Sequence, residues 1–197
     1  MRYDKGHKEA TRQRIVETAA TRFRRDGIGG VGVADLMSEA GLTHGGFYSH
    51  FASKEELVRA AIQSAGERGR DNFRQRVAEG GLETWIRHYL RSENLHDPGR
   101  GCHVAALAGE LARHPAATRA VIGKRVATFV TEIATHLPAT VPTAKRRQVA
   151  TGVFGILVGS LQLARLMGDA PAAAEILEAG IASALKLAGV KPKAARA

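Results

Sequence analysis

Apolar residues recur every three or four positions along most of the chain, which is the period of an amphipathic α-helix. In the segment from Lys8 to Arg25, the residues Ile15, Ala19 and Phe23 repeat at a spacing of four. Runs in which apolar and polar residues alternate, the pattern of half-buried strands, are almost absent. The pattern therefore predicts an all-α chain without a sheet.

Glycine and proline residues divide this pattern into separate helices. Ser53 and Glu56 fit a capping box that opens a long connecting helix, and Thr43 is a candidate N-cap for the helix before it. We expect a small three-helix domain over residues 1–53 and a larger helical domain over 54–197, which begins with the connecting helix at 54–70. The predicted helices are 8–25, 33–40, 44–51, 54–70, 82–94, 102–113, 115–137, 143–167 and 171–187.

Charge is distributed unevenly along a chain whose formal net charge is +10. Residues 1–25 hold eight Lys or Arg against three Asp or Glu, whereas residues 26–60 carry a net charge of −3. A further basic tail comprises Lys191, Lys193 and Arg196. An excess of positive charge favours an anionic partner such as nucleic acid. It also leaves open a protein that coats DNA without sequence preference.

The single cysteine, Cys102, excludes an intramolecular disulfide and suits a reducing cytoplasm. The N-terminal residues are charged and do not resemble a signal peptide. The longest uncharged run, Gln148–Ala164, contains four polar residues and is shorter than the ~20 residues that a membrane span needs. We therefore expect a cytoplasmic protein with no membrane partner, in which this run is a buried helix.

The segment 34–54 contains the most informative pattern, two short helices joined by Ala40-Gly41-Leu42-Thr43. Gly41 can adopt the positive φ that a tight corner between helices requires. The second helix then presents small and polar residues, and small residues at its start would let the backbone approach base edges or phosphates. This arrangement suits a recognition helix whose N-terminal end enters the major groove of DNA.

Residues 8–60 resemble the DNA-binding domain of the tetracycline-repressor (TetR) family. The resemblance rests on the pattern Leu42-Thr43-x-x-x-Phe47-Tyr48-x-His50-Phe51-x-Ser53-Lys54-Glu55-Glu56-Leu57 and on Leu36 and Ala40-Gly41 before it. It implies double-stranded DNA as partner, a homodimer on a palindromic operator, and repression that a small-molecule effector relieves. It also implies an N-terminal helix-turn-helix domain and a C-terminal domain for ligand binding and dimerisation.

The resemblance also implies roles for individual residues. Tyr48 and Lys54 align with phosphate contacts, and His50 with a position that faces the DNA backbone. The start of the recognition helix meets bases and adjacent phosphates, and the residues concerned are Thr43, His44 and Gly45. From the residues themselves, Phe47 and Phe51 are expected in the core. The arginines at 22, 24 and 25 are expected on a solvated face or in loose contact with phosphate.

Two departures from the family pattern bear on sequence readout. Gly32 stands where the family often has a capping Ser or Thr, and His44-Gly45-Gly46 offers few side chains that can hydrogen-bond to bases. We therefore predict that readout depends on His44, on the basic N-terminal arm and on DNA shape.

The C-terminal two-thirds match the family in length and in being helical. Glycines at 152, 155 and 159 suggest close approach by another helix, either within the subunit or across the dimer, since each weakens its own helix. Candidate polar groups for an effector pocket include His88, His103, Glu110 and Gln162. The residues that we expect to line the pocket are Trp85, Tyr89, His103, Leu107, Phe129 and Phe154.

Alternative functions remain open at this level. Cys102 lies at the start of a predicted helix beside Arg100 and His103, a setting that favours the thiolate and would suit a sensor of oxidants or electrophiles. A structural role, in which Cys102 is a small packed residue that begins a helix, is favoured over the sensor. The sequence also leaves open an activator in place of a repressor. We find no phosphate loop, metal-ligand spacing or nucleophile motif, so we expect no enzyme, no metal and no cofactor.

Overall fold

The computed structural model describes residues 5–192, and its regular elements are all helices. The fold class predicted from the sequence is therefore confirmed. Two short 3₁₀ helices occupy His44–Ser49 and Pro98–Arg100. The α-helices are α1 (Lys5–Asp26), α2 (Val33–Glu39), α3 (Lys54–Gly80), α4 (Leu82–Tyr89), α5 (Glu93–His96), α6 (His103–Leu111), α7 (Ala116–Thr135), α8 (Thr143–Met167) and α9 (Pro171–Ala188). Of the predicted basic tail, Lys193 and Arg196 lie outside the described residues.

Helix α3 differs from its prediction in length. It extends to Gly80, ten residues beyond the expected end of the connecting helix at residue 70. Gly66 and Gly69 do not end it, because neither takes a positive φ, whereas Gly81 does, with φ +83°. The helix therefore ends where the backbone turns into the left-handed region that glycine adopts without strain.

The predicted helix 82–94 is divided into two pieces. Helix α4 ends at Tyr89, and the short α5 begins at Glu93. The amide Nδ2 of Asn94 donates to the carbonyl oxygens of His88 and Tyr89 at 3.0 and 2.9 Å. This side chain satisfies carbonyls that a continuing helix would have used, which accounts for the break.

Contacts divide the chain into two compact units. Unit 1 comprises the residues up to Arg68 together with Pro98–Gly123, and unit 2 comprises Gly69–Asp97 and the residues from Lys124 onward. Helices α3 and α7 each contribute to both units. The predicted domain boundary at 53/54 remains a prediction.

Unit 1 has a hydrophobic core to which four helices and the 44–51 segment contribute. Ile15, Ala19 and Phe23 of α1 are at most 1% exposed, as their spacing predicts. Residues of α2, of the 44–51 segment and of α3 pack with them. Leu107 and Leu111 of α6 complete the same core at 4% and 1% exposure. The N-terminal helices therefore share their core with a helix about 80 residues further along the chain.

Unit 2 is organised around aromatic rings and around the pair α8 and α9. The ring of Phe73 on α3 contacts the rings of Trp85 and Phe129 edge to face, at centroid distances of 4.9 and 5.3 Å. Helix α8 has the bounds predicted from the sequence. By length and composition alone α8 could cross a membrane, with a mean hydropathy of 1.6 over its most apolar window. Its residues Ala150, Val153, Leu157 and Leu161 are at most 1% exposed, which makes it a core helix of this unit.

Candidate nucleic-acid interface

The corner after α2 sets the direction of the segment that follows. Gly41 has φ +70°, as predicted, and its N–H donates to the carbonyl of Ser38 at 2.9 Å. The N–H of Leu42 donates to the carbonyl of Met37 at 2.8 Å, so the last carbonyls of α2 are satisfied within the corner. The chain leaves the corner in extended conformation at Thr43, with φ −79° and ψ 147°.

The reading segment, which we define as Thr43–His50, contains a 3₁₀ helix where the sequence predicted helix 44–51. Thr43 is its N-cap residue, as predicted, but its side chain makes no capping hydrogen bond. Gly45 and Gly46 weaken helix propensity by about 1 kcal/mol each relative to alanine, which accounts for a short and tightly wound segment.

Aromatic side chains hold the reading segment on the core of unit 1. Phe47 and Phe51 are each 1% exposed, and their rings stack at a centroid distance of 5.6 Å. The prediction that both are core residues is thus confirmed. With Phe47 buried, the neighbouring Tyr48 points outward and is 67% exposed. Thr43, His44 and Gly45 are not buried on the same segment, so its polar groups face solvent.

His50 is half-buried at the end of the reading segment. Its Nδ1 atom is shielded from solvent and has no hydrogen-bond partner among the described residues. Burial lowers the pKa of the imidazole below its ordinary value, and the positive charges of Lys8 and Arg12 lower it further, while Glu9 opposes them. In the unbound protein His50 is therefore neutral at pH 7 and lies within the field of two cations of α1.

Arg12 links α1 to the start of α3. Its guanidinium lies over the ring of Phe51, 4.6 Å from the centroid, and 3.9 Å from the carboxylate of Glu56. Glu56 also accepts the N–H of Ala52 at 2.8 Å, and its own N–H donates to Ser53 Oγ at 3.2 Å. The side chain of Ser53 thus forms its half of the predicted capping box. The carboxylate of Glu56 accepts from the N–H of Ala52, whereas in a standard capping box it would accept from the N–H of Ser53.

The half-buried Lys54 follows directly after this cap. Its Nζ donates to the carbonyl oxygen of Ile28 at 2.6 Å, in the loop between α1 and α2. The adjacent N–H groups of the same loop donate to one carboxylate. Those of Ile28 and Gly29 lie 2.9 and 2.6 Å from the two oxygens of Glu110 on α6.

The three arginines of 22–25 do not share one solvated face. Arg22 pairs with Asp26 and Glu39, and Arg25 pairs with Asp26. Arg24 is only 7% exposed, and its Nε and Nη2 both donate to the carbonyl oxygen of Gly99. The expectation of a solvated face is therefore wrong for Arg24, because its guanidinium is buried and donates to a backbone carbonyl oxygen 75 residues away.

Comparison with known proteins agrees with this geometry. The family model of bacterial regulatory proteins of the tetR family matches residues 15–61. The uncharacterized HTH-type transcriptional regulator YfiR of Bacillus subtilis (strain 168) is 35% identical over 95 residues, which cover 47% of this chain and 46% of that protein. The HTH-type transcriptional regulator TtgR of Pseudomonas putida is 37% identical over 67 residues, covering 34% and 32%. These matches span less than half the length of either relative.

The fold is similar over nearly the whole chain to solved structures of low sequence identity. A TetR transcriptional regulator from Chloroflexus aurantiacus J-10-fl has a TM-score of 0.75 and 24% identity, covering 93% of this chain and 94% of that one. A TetR-family regulator from Cytophaga hutchinsonii has a TM-score of 0.76 at 20% identity, covering 95% and 98%. Residues 15–61 thus match the TetR family, and the chain has the fold of the TetR-family structures.

The TetR family is one of regulatory proteins, which agrees with the expectation that this chain is not an enzyme. The model match spans most of α1, all of α2 and the reading segment, and the start of α3. All six predicted DNA-contact residues fall within it, and the structure brings them to the reading segment and the adjoining start of α3. Their contacts to DNA remain a prediction.

The residues predicted for an effector pocket fall into both units. Trp85, Tyr89, Phe129 and Phe154 form one cluster in unit 2, where Phe129 contacts Trp85 at 5.8 Å and Phe154 at 5.2 Å between ring centroids. His103 and Leu107 lie on α6 in unit 1. Leu107 belongs to the core of the helix-turn-helix, where its apolar side chain completes the packing.

Sequence reasoning missed two residues that join segments of unit 1. The sequence suggested a pocket role for Glu110 and a solvated position for Arg24, yet each binds the backbone of another segment of unit 1. A buried position for Arg24 has a weak sequence signal, because it lies four residues after the apolar Ala20 on the same helix. Glu110 has no such signal, since its partners are backbone groups that nearly any residue carries.

Proposed function

We propose that this protein is a DNA-binding transcriptional repressor that acts as a homodimer on a palindromic operator and is released by a small-molecule effector. Cytoplasmic location and double-stranded DNA as partner are parts of the same proposal. They rest on the family and on the reading segment.

The observation that carries the proposal is the exposed polar face of the reading segment. Tyr48, 67% exposed, projects from a segment that the buried Phe47 and Phe51 hold in place. A phenol hydroxyl, the imidazole of His44 and open backbone at Gly45 are groups that can meet phosphates and base edges. A rigid apolar anchor beneath exposed donors is what a DNA-reading element requires.

The test is selection of bound molecules from a pool of random duplex DNA at moderate salt. A specific dimeric regulator should enrich one palindromic motif. Uniform binding that disappears as salt rises would instead support a non-specific DNA-coating protein and overturn the proposal. A reporter gene carrying the selected motif then separates repression from activation.

The role of His44 in readout is tested with the same selection. His44→Ala should broaden the selected motif at the bases it meets, while affinity for random DNA stays close to that of the wild type. His96→Ala is a matched control, since His96 is an exposed histidine of unit 2. An unchanged motif with His44→Ala would remove the proposed contact.

The dimer is proposed to form through α8 and α9. Gly152 faces Leu187 of the same chain, where an added Cβ would come within 2.7 Å, so this glycine serves packing within the subunit. Gly155 and Gly159 have open space instead. Further along α8, Leu163 and Leu166 are 53% and 78% exposed, which leaves an apolar surface uncovered.

Sedimentation velocity tests the dimer directly. Leu166→Glu places a charge on this surface and should shift the protein toward monomer and weaken operator binding, whereas the conservative Leu166→Met should leave both unchanged. A Leu166→Glu protein that stays dimeric would contradict the proposed interface.

The aromatic cluster of unit 2 supports an apolar effector. Trp85 is the single tryptophan of the chain, so its fluorescence reports on this cluster alone. A library of small aromatic compounds should contain molecules that both change this fluorescence and release operator DNA. Phe129→Ala should weaken both effects for the same compound. If compounds release DNA while Phe129→Ala leaves their affinity unchanged, the effector site lies elsewhere.

Cys102 offers a second candidate trigger. It is a half-buried free thiol at the N-cap of α6, the helix that carries Glu110. The fold neighbour NemR of E. coli was solved in a reduced form. A Cys102→Ala protein that still loses operator DNA on treatment with an oxidant or a maleimide would exclude this candidate.

A further inference from the structure

One peptide group in the loop between α1 and α2 lies between an anion and a cation. The N–H of Gly29 donates to Glu110 Oε1 at 2.6 Å, and the carbonyl of Ile28, at the other end of the same peptide, accepts from Lys54 Nζ at 2.6 Å. The N–H of Ile28 donates to Glu110 Oε2 at 2.9 Å. The carboxylate of α6 and the ammonium of α3 are thus connected through the Ile28–Gly29 peptide.

The two charges strengthen each other through this peptide. Hydrogen bonds to ionised groups are roughly twice as strong as neutral ones, and bonds in a chain polarise their neighbours. A carboxylate on the N–H increases the negative partial charge of the carbonyl, which then holds the ammonium more firmly. Glu110 therefore acts on Lys54 through the backbone of the loop.

The loop is shaped to receive the carboxylate. Gly27 has φ +78°, and a Cβ at Gly27 or Gly29 would lie 3.3 Å from an oxygen of Glu110. Successive N–H groups that converge on one anion form a nest. The neighbouring residues Leu107 and Leu111 are buried in the core of the helix-turn-helix, so they anchor α6 beside the loop.

The connection fixes the direction of the Lys54 side chain. An ammonium has three donors, and the carbonyl of Ile28 uses one of them. The other two can serve an acceptor at the start of α3, beside the reading segment. A lysine fixed in this way reaches a DNA phosphate without losing the rotamer freedom that a mobile lysine would lose.

We propose that Glu110 is a positioning residue for DNA binding, which holds the Ile28–Gly29 peptide so that Lys54 is directed at a backbone phosphate. This inference rests on the proposed function, because it assigns the regulation of the same DNA-binding surface. Any movement of α6 that withdraws Glu110 releases Lys54, which gives α6 control over one phosphate contact in each subunit.

The test compares Glu110→Gln with the wild-type protein on the selected operator, across a series of salt concentrations. The amide keeps the shape of the side chain and removes its charge. We expect operator binding about ten-fold weaker or more, the usual scale of coupling between two sites. We also expect the slope of log K against log salt to become shallower by about 0.9 for each phosphate that the variant no longer binds.

The matched control is Glu67→Gln, which removes the same charge from an exposed position on α3 of unit 1. It should leave both affinity and salt slope unchanged. The slope separates positioning from simple loss of structure, because a smaller folded fraction lowers the apparent affinity without changing the number of phosphates bound.

A double-mutant cycle provides the second measurement. Lys54→Met alone should weaken binding and reduce the salt slope. If Glu110 acts through Lys54, adding Glu110→Gln to Lys54→Met should weaken binding little further. Glu110→Asp, which keeps the charge and shortens the reach, should behave as Glu110→Gln does.

Two results would overturn the inference. One is an unchanged salt slope in Glu110→Gln, and the other is additive effects on binding free energy in the cycle, both measured where circular dichroism shows the variants folded. Failure of the proposed function looks different, because the wild-type protein itself would then select no operator.

Discussion

Two cations of unit 1 bind backbone carbonyl oxygens in place of carboxylates. Arg24, 7% exposed, donates to Gly99, and Lys54 donates to Ile28. Gly99 lies in the short 3₁₀ helix Pro98–Arg100, and Ile28 lies in the loop between α1 and α2, so each cation joins a connecting segment to a helix of unit 1. At the residue scale, positive charge in this unit stabilises loops as well as offering contacts to an anion.

Tyr48→Phe should weaken operator binding while leaving the fold intact. The phenol is exposed, so its hydroxyl adds little to stability, yet a hydrogen bond to a charged phosphate contributes about 1.5–3 kcal/mol. We expect affinity to fall by about ten-fold or more, which fluorescence anisotropy of labelled operator measures, and thermal unfolding should match the wild type. Full operator affinity in Tyr48→Phe would remove this residue from the interface.

His50 should make stability depend on pH. Burial lowers its pKa, as do Lys8 and Arg12, and Glu9 opposes them, so the unfolded chain binds its proton at higher pH than the folded protein does. Stability from this group is therefore complete above its ordinary pKa of about 6.5 and is lost as pH falls toward the lowered value. His50→Gln should flatten the pH dependence of the urea midpoint below pH ~6.5.

An unaltered dependence in His50→Gln would show that this ring does not carry the effect. His88, whose pKa is also lowered, mainly by burial, would then be the group to change next.

At the scale of elements, the helix-turn-helix depends on two glycine positions with opposite requirements. Gly41 turns the chain with φ +70° and has open space around it. Gly45 also has open space but takes no positive φ. The same residue type therefore serves the backbone at one position and leaves the surface clear for a partner at the other.

Alanine at these two glycines should have opposite effects on stability. Gly45→Ala removes freedom from the unfolded chain without strain and should stabilise by about 0.4–1 kcal/mol. Gly41→Ala must hold a Cβ in the left-handed region and should destabilise by about 1–2 kcal/mol. Urea unfolding of both variants measures the difference. Equal changes of the same sign would contradict the backbone argument, because neither position has a steric neighbour within 4 Å.

At the scale of the whole molecule, the DNA-reading helices do not form a unit by themselves. Leu107 and Leu111 of α6 are buried with Ile15 and Phe23 of α1. Polar contacts join the same parts, including Glu55 on α3 with His114 at 2.7 Å and with Thr118 at 2.7 Å. The residues of 98–123 are therefore part of the structure that presents the reading segment.

Leu111→Ala should destabilise unit 1 by about 2–5 kcal/mol, since it leaves a cavity at a position that is 1% exposed. Leu157→Ala is the matched change in unit 2, where the side chain is 0% exposed. Native-state hydrogen exchange should show weaker amide protection in α1 for the first variant and in α9 for the second. Weaker protection of α9 with Leu111→Ala would show that the two units do not unfold separately.

The sequence alone determined the features that local physics controls. The helical period predicted an all-α chain, the bounds of α8 and the burial of Phe47 and Phe51. Gly41 indicated a positive φ, and the pattern from Leu42 to Leu57 indicated the helix-turn-helix that the family model matches. These features depend on residues within a few positions of one another, so they can be predicted from the amino-acid sequence.

Only the tertiary structure decided how the helix-turn-helix is held. Glu110 lies 82 residues from Ile28, and Arg24 lies 75 residues from Gly99. Both side chains bind backbone groups, which are the same for nearly every residue type and so cannot be recognised in the sequence. From the sequence, Leu107 could equally line a pocket or belong to a core. In the structure it packs in the core of unit 1. A contact between a side chain and a distant peptide is set by the path of the backbone, and that path exists only once the chain has folded.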